Sequence, residues 1–172
     1  DYDHLQPIQW PVTVAKPEGT PRLFSDGLFA TPSGKAQFIT SISKLPKQQL
    51  SADYPLALNT GRLRDQWHTM TRTGRASRLL DHTDQPFVAV HPATAAHYDL
   101  TDGDLAAVKT AHGTIEVVVQ FDSNLKLDQL FVPIHWNQQF ASNARVGTLI
   151  APITDAVSGQ PEFKFSAAAL CK

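Results

Sequence analysis

Leu105-Ala-Ala-Val-Lys-Thr-Ala-His-Gly-Thr-Ile-Glu-Val-Val-Val-Gln-Phe121 is the stretch whose reading decides the fold. Its two apolar halves, Leu105 to Thr110 and Thr114 to Phe121, flank the short glycine-containing connection Ala111-His112-Gly113. That pattern predicts a β-hairpin. Outward from it lie further short runs rich in Val, Ile, Phe and Leu, at Tyr54 to Leu58, Phe87 to Val90 and Leu130 to Ile134. They are too short for ordinary helices and have strand-like composition. Between Val90 and Leu105, Pro92 can open a short helix and Gly103 can turn the chain back into the hairpin. One or two helical turns are also expected within Ala141 to Ile150. Many short strands with little helix argue for a mainly β protein closed into a barrel, because closure removes exposed sheet edges.

Upstream the texture differs. Residues 1 to about 50 carry Pro7, Pro11, Pro17, Pro21, Pro32 and Pro46, interspersed with Gly19, Gly27 and Gly34. Proline at that spacing leaves no room for a long helix. Short extended pieces are expected at Val12 to Ala15, Leu23 to Phe24 and Gln37 to Ile42, with a turn at Thr31-Pro-Ser-Gly34. The division expected is an irregular strap over 1–50 and a barrel domain over 51–172.

The whole chain has 172 residues, 42% hydrophobic and 18% charged, enough to bury one core of ordinary size. Its 15 basic and 16 acidic side chains leave a formal charge of -1, which gives no global attraction to nucleic acid or to an anionic membrane. No apolar run approaches the roughly 20 residues of a membrane-spanning helix. Neither nucleic acid nor a membrane is therefore an expected partner. Cys171 is the single cysteine, so this chain alone cannot build a disulfide framework, an iron-sulfur cluster or a cysteine-based zinc site. It suits a reducing compartment, and so near the C-terminus it is expected in a mobile tail. The only methionine is Met70, so further sequence upstream of Asp1 is expected.

Chemistry concentrates directly after the first expected strand. Arg62, Arg64, Arg72, Arg75 and Arg78 are five of the seven arginines in the chain. A guanidinium presents a planar fork of donors matched to phosphate, and a turn at Thr60-Gly61 would let backbone N–H groups approach an anion. The reading is a phosphate or pyrophosphate site; the alternative is a solvated arginine-rich loop. Gln66, Trp67, His68, Thr69 and Thr71 add neutral donors and an aromatic face that a merely solubilising loop does not need. Arg62, Gln66, Trp67 and His68 are expected to line one groove. In Phe131-Val-Pro-Ile-His-Trp-Asn137, His135 and Trp136 are either satisfied polar groups at the barrel rim or part of a pocket wall. Asp155 to Lys164 reads as a loop. His4, His82, His91, His97 and His112 lack the paired spacing of metal ligands and read as ordinary. Nucleophile-elbow and phosphate-loop signatures are absent from the sequence.

Together these stretches resemble the C-terminal molybdopterin-dinucleotide-binding domain of the large molybdenum oxidoreductases, most closely that of assimilatory nitrate reductases. The resemblance rests on Thr60-Gly-Arg-Leu-Arg-Asp-Gln-Trp-His-Thr-Met-Thr-Arg-Thr-Gly74, on His91-Pro92 with the hairpin, on Phe131 to Trp136 and on Ser158-Gly-Gln-Pro-Glu-Phe-Lys164. It implies a six-stranded double-psi β-barrel and a cofactor, molybdenum bis(molybdopterin guanine dinucleotide). It further implies cofactor contacts from Thr60, Gly61, Arg62, Leu63, Arg64, Asp65, Gln66, Trp67, His68 and Thr69, with His135, Gln160 and Lys164. Gly147 stands where many relatives have asparagine, which removes one side-chain contact. The activity implied is nitrate reduction to nitrite in the cytoplasm, as part of a longer polypeptide. Upstream domains would bring the molybdenum ligand and any iron-sulfur cluster, and an electron donor protein or domain would complete the system. The chain alone is expected to turn nothing over. A formate-dehydrogenase-like enzyme is the alternative within the resemblance, and a stand-alone barrel for a phosphorylated ligand is the alternative outside it.

Overall fold

A computed structural model of the chain describes residues 6–172, so His4 lies outside the described residues. Two compact units are present, Asp1–Lys44 and Leu45–Lys172. In the first, the described residues form turns and isolated bridges, Gln9 with Gly19 and Thr13 with Lys16. The turn at Thr31 to Gly34 forms, closed by the Gly34 N–H on the Thr31 carbonyl at 3.0 Å. The extended pieces expected there do not form strands. Thr13 and Lys16 exchange backbone bonds across a tight turn, Phe24 adopts a left-handed φ of 58°, and 37–42 has no strand partner among the described residues.

The second unit is a closed barrel of six strands: β1 (Leu56–Gly61), β2 (Phe87–Val90), β3 (Leu105–Thr110), β4 (Gly113–Phe121), β5 (Gln129–Pro133) and β6 (Ser166–Cys171). Around the barrel they run in the order β1, β5, β2, β4, β3, β6. The β1–β5 and β2–β4 pairs are parallel and the other four are antiparallel. This is the mainly β, six-stranded closed barrel expected. Two short helices decorate it, α1 (Ser77–Leu80) and α2 (Pro92–His97). Pro92 does open α2, and His91 Nδ1 caps it by accepting the Ala93 N–H at 3.1 Å.

Alternation drives the core. Ala106, Val108 and Thr110 of β3, Ile115, Val117 and Val119 of β4, and Ser166, Ala168 and Leu170 of β6 all point inward and are buried. Each fully buried valine or leucine contributes about 1.5–3 kcal/mol relative to exposure. Leu58, Val88, Val90, Leu130 and Val132 complete the filling.

Four expectations need correction. The first strand begins at Leu56, not Tyr54, and extends to Gly61. Tyr54 is used in a turn with Ser51, and Pro55 has no N–H to give a ladder. Thr60-Gly61 is consequently strand, paired with Val132-Pro133, and the loop starts at Arg62. Within 141–150 only a 3-10 turn forms, Val146–Leu149. Cys171 is no mobile tail: it sits in β6, opposite Ala107.

The topology also gathers the far-apart segments. β1 and β5 are parallel, with Gly61 opposite Pro133, so 62–72 and 134–140 leave the barrel at one end. β6 is antiparallel to β1, with Ser166 opposite Leu58, so the loop ending at Phe165 enters at that same end. β2 is antiparallel to β5, which brings 82–86 there as well.

Candidate functional site

At this end Thr60 and Lys164 are joined reciprocally. The buried Thr60 hydroxyl donates to the Phe163 carbonyl at 2.7 Å, and the Lys164 ammonium donates to the Thr60 carbonyl. Two segments over 100 positions apart in sequence are thus stitched at the root of the arginine-rich loop. Gly61 follows, where an added Cβ would lie 2.6 Å from Phe131 Cε2. A side chain there would collide with a ring of the parallel neighbour strand.

His135 is fully buried beneath the loop. Its Nε2 accepts the Leu63 N–H at 2.8 Å, and Nδ1 faces the His68 carbonyl at 2.5 Å. Of the two readings left open by sequence, the satisfied rim group is the one observed: both ring nitrogens are engaged by backbone. Burial, with Arg62 and His68 nearby, holds its pKa below the usual imidazole value, although the bond to His68 pulls the other way.

Gln66 is likewise turned inward and 7% exposed. Its amide donates to the Leu79 carbonyl at 2.9 Å and its oxygen accepts the Thr73 hydroxyl at 2.6 Å. It therefore braces the loop against the α1 segment, whereas Arg62, Trp67 and His68 are exposed. Sequence cannot distinguish an inward glutamine from an outward one in a polar stretch.

Arg62, Trp67, His68 and Thr69 stay at the surface. Arg62 forms no ion pair among the described residues. Arg72 lies over the Trp67 ring at 5.5 Å, and His68 meets its edge at 4.6 Å. His68 and Met70 have φ of 43° and 63°, left-handed conformations that non-glycine residues adopt only when their surroundings impose them. Met70, 2% exposed, anchors the loop's far side in the core.

Arg64 is not free for an anion. Its guanidinium grips Asp65 by a fork at 2.8 and 2.9 Å, and His82 Nδ1 lies 2.5 Å from the same carboxylate. These two partners hold the Asp65 carboxyl far below the ordinary carboxylate range. Leu63, Arg64, Asp65, Gln66, Leu79, His82 and Thr83 line a cleft of about 270 Å³. His82, read as ordinary, belongs here. Its 17-residue distance from Asp65 gives no signal in sequence. Gln160 is exposed in the neighbouring loop; its backbone N–H meets Ser158 and its carbonyl accepts from Asp155. Gly147 has open space where a side chain would stand.

The donor set fits a pyrophosphate-bearing dinucleotide: Arg62 without an ionic partner, a lysine ammonium with hydrogens to spare beyond Thr60, and an indole for stacking.

Residues 56–167 match the molydopterin dinucleotide binding domain family. The chain belongs to that family. Its ligand class replaces the generic phosphorylated ligand and agrees with the cofactor implied by the sequence. The chain is 41% identical over 98% of its length to the nitrate reductase of Klebsiella oxytoca, of which it spans 19%. It is 35% identical over 93% of its length to the assimilatory nitrate reductase catalytic subunit of Bacillus subtilis (strain 168), of which it spans 22%. It therefore spans about a fifth of these curated relatives. The solved acetylene hydratase from Pelobacter acetylenicus superposes with a TM-score of 0.71 at 21% identity, over 91% of this chain and 25% of that one. That likeness establishes the fold.

Proposed function

We propose that this chain binds molybdenum bis(molybdopterin guanine dinucleotide) as the C-terminal part of a nitrate reductase, which converts nitrate to nitrite in cytoplasmic nitrate assimilation. The observation that carries the reading is the convergence of Arg62, Trp67, His68 and Lys164 at one barrel end, on a backbone braced by Thr60, His135 and Gln66. When bound, the cofactor supplies the two-electron oxygen-atom-transfer chemistry. The chain's own residues bind and orient it. Arg62 and Lys164 offer charge-assisted hydrogen bonds to phosphate or to polar pterin atoms, and Trp67 offers an aromatic face. Gly61 keeps the strand end close to Phe131, so that the loop departs where these groups meet. Gln160, exposed and beside Lys164 in the sequence, adds an amide from the second loop.

The remaining parts of the system follow from the same reading. Upstream domains of the same polypeptide close the other side of the site, carry any iron-sulfur cluster and receive electrons from a donor protein or domain. Support for assimilation comes from the name of the Bacillus relative. A periplasmic nitrate reductase from Desulfovibrio desulfuricans is also similar, at 29% identity over 84% of this chain, and marks the competing location. No helix among the described residues is long and apolar enough to cross a membrane.

A formate-dehydrogenase-like activity is the second reading. It draws on the F420-dependent formate dehydrogenase 1 subunit alpha of Methanococcus maripaludis, 28% identical over 94% of this chain. The nitrate reductases are the more similar group. Expression of the intact gene, followed by turnover with reduced viologen and nitrate against oxidised viologen and formate, separates the two. Nitrate turnover without formate turnover is expected, and the converse would overturn the assignment.

A further inference from the structure

Resting on the proposed function, we infer that His135 is the positioning residue of the cofactor-binding loop. Its buried imidazole ties Leu63 and His68 to the end of β5, and does so in one neutral tautomer only.

The geometry dictates the protonation. Nε2 accepts the Leu63 N–H at 2.8 Å and so carries no proton, whereas Nδ1 faces the His68 carbonyl at 2.5 Å and so carries one. A second proton has only Nε2 to occupy. There it would meet the Leu63 N–H donor head-on, breaking one tie and adding charge to a site with no exposure to water.

What the ring holds is a backbone with few bonds of its own between Leu63 and His68, the Gln66 N–H meeting the Leu63 carbonyl at 3.4 Å and the Trp67 N–H the Thr73 hydroxyl at 3.3 Å. His68 and Met70 both lie in the left-handed region, and the loop between the ties carries the exposed Trp67 and His68. The charged groups acting on His135 are Arg62 and His68, both from the loop after β1, and both oppose its protonation. On its own segment Trp136 meets it edge-on at 6.4 Å and does not titrate.

Because the folded-state proton affinity is lowered, the tie is fully present above the unfolded histidine value of about 6.5. The stabilisation it gives declines as pH falls below that value and is gone once pH passes through the lowered folded-state value. The loop's contact between His82 and the Asp65 carboxylate is separate from the ring and is left in place by substitutions at His135. Loosening on acidification that disappears with the imidazole is therefore the mark of His135.

Hydrogen exchange of peptides covering 61–74, in the whole enzyme carrying this chain, tests the inference alongside molybdenum retained after gel filtration. Between about pH 7.5 and about pH 5.5, exchange corrected for the intrinsic chemical rate should speed by on the order of tenfold relative to the β3–β4 hairpin, with parallel loss of molybdenum. His135→Gln sets a non-titrating amide oxygen toward Leu63 and should remove the pH dependence. His135→Phe should exchange fast at both pH values. A wild-type loop insensitive to pH, or a folded His135→Phe enzyme with wild-type loop protection, overturns the inference. If His135→Phe does not fold, the wild-type series and His135→Gln decide. Wild-type enzyme with the expected exchange pattern but no molybdenum would sink the proposed function and leave the brace standing. Molybdenum bound at both pH values over an insensitive loop would do the reverse.

Discussion

Gly61 shows how little freedom the site's root has. An added Cβ would sit 2.6 Å from Phe131 Cε2, so Gly61→Ala must displace a ring packed across the β1–β5 pair. Overpacking of this kind costs about 1–3 kcal/mol. A chemical-denaturation midpoint lowered accordingly, with unchanged slope, is the expected outcome. Thr60 is the polar counterpart. Thr60→Val keeps shape but deletes the hydroxyl that ties the Phe163 carbonyl, a loss of about 0.5–1.5 kcal/mol for one hydrogen bond. Lys164→Ala should act differently. The lysine is exposed apart from its bond to the Thr60 carbonyl, so the barrel should melt as before while cofactor content of the intact enzyme falls. A melt lowered as much as in Thr60→Val, with cofactor retained, would assign Lys164 to structure alone. An added Cβ at Gly147 meets no neighbour within 4 Å, so Gly147→Asn should fold as the parent does, checked by the same melt.

At the scale of elements, legibility followed side-chain chemistry. The β3–β4 hairpin and β2 were readable because branched apolar residues alternate or run between clear turn signals, and α2 because Pro92 announces it. β6 was not readable as a strand. Ser166-Ala-Ala-Ala-Leu-Cys171 is alanine-rich, and alanine gives a weak strand signal; only closure against β1 and β3 makes it a strand. The reach of β1 to Gly61 was hidden likewise, because Asn59-Thr60-Gly61 looks like a turn until Phe131, Val132 and Pro133 pair with it. Within the loop, residue types announced phosphate chemistry, but burial did not follow from them. Gln66 and His135 proved to be braces, and the Asp65–His82 contact joins segments whose spacing means nothing until β2 lies against β5. That contact also sets an expectation. Because Arg64 and His82 keep Asp65 ionised far into the acid range, Asp65→Asn should loosen 62–74 at neutral pH, read as faster hydrogen exchange there than in β3–β4.

Across the whole molecule, a closed barrel with two parallel pairs is what lets one end collect residues from 60–69, 82, 135 and 160–164. Such a cluster presents one wall of a site. The 172-residue chain mixed with cofactor, reduced viologen and nitrate should therefore show no turnover above a blank. The most direct test of the central claim, that this barrel end receives a molybdopterin guanine dinucleotide, is the molybdenum and released guanine nucleotide content of the purified intact enzyme, compared between wild type and Arg62→Ala. The account predicts both in the wild type and a joint fall in the variant, by on the order of tenfold in retention for one lost charge-assisted contact. Wild-type enzyme without guanine nucleotide, or an Arg62→Ala enzyme that keeps its full complement of both, would contradict it.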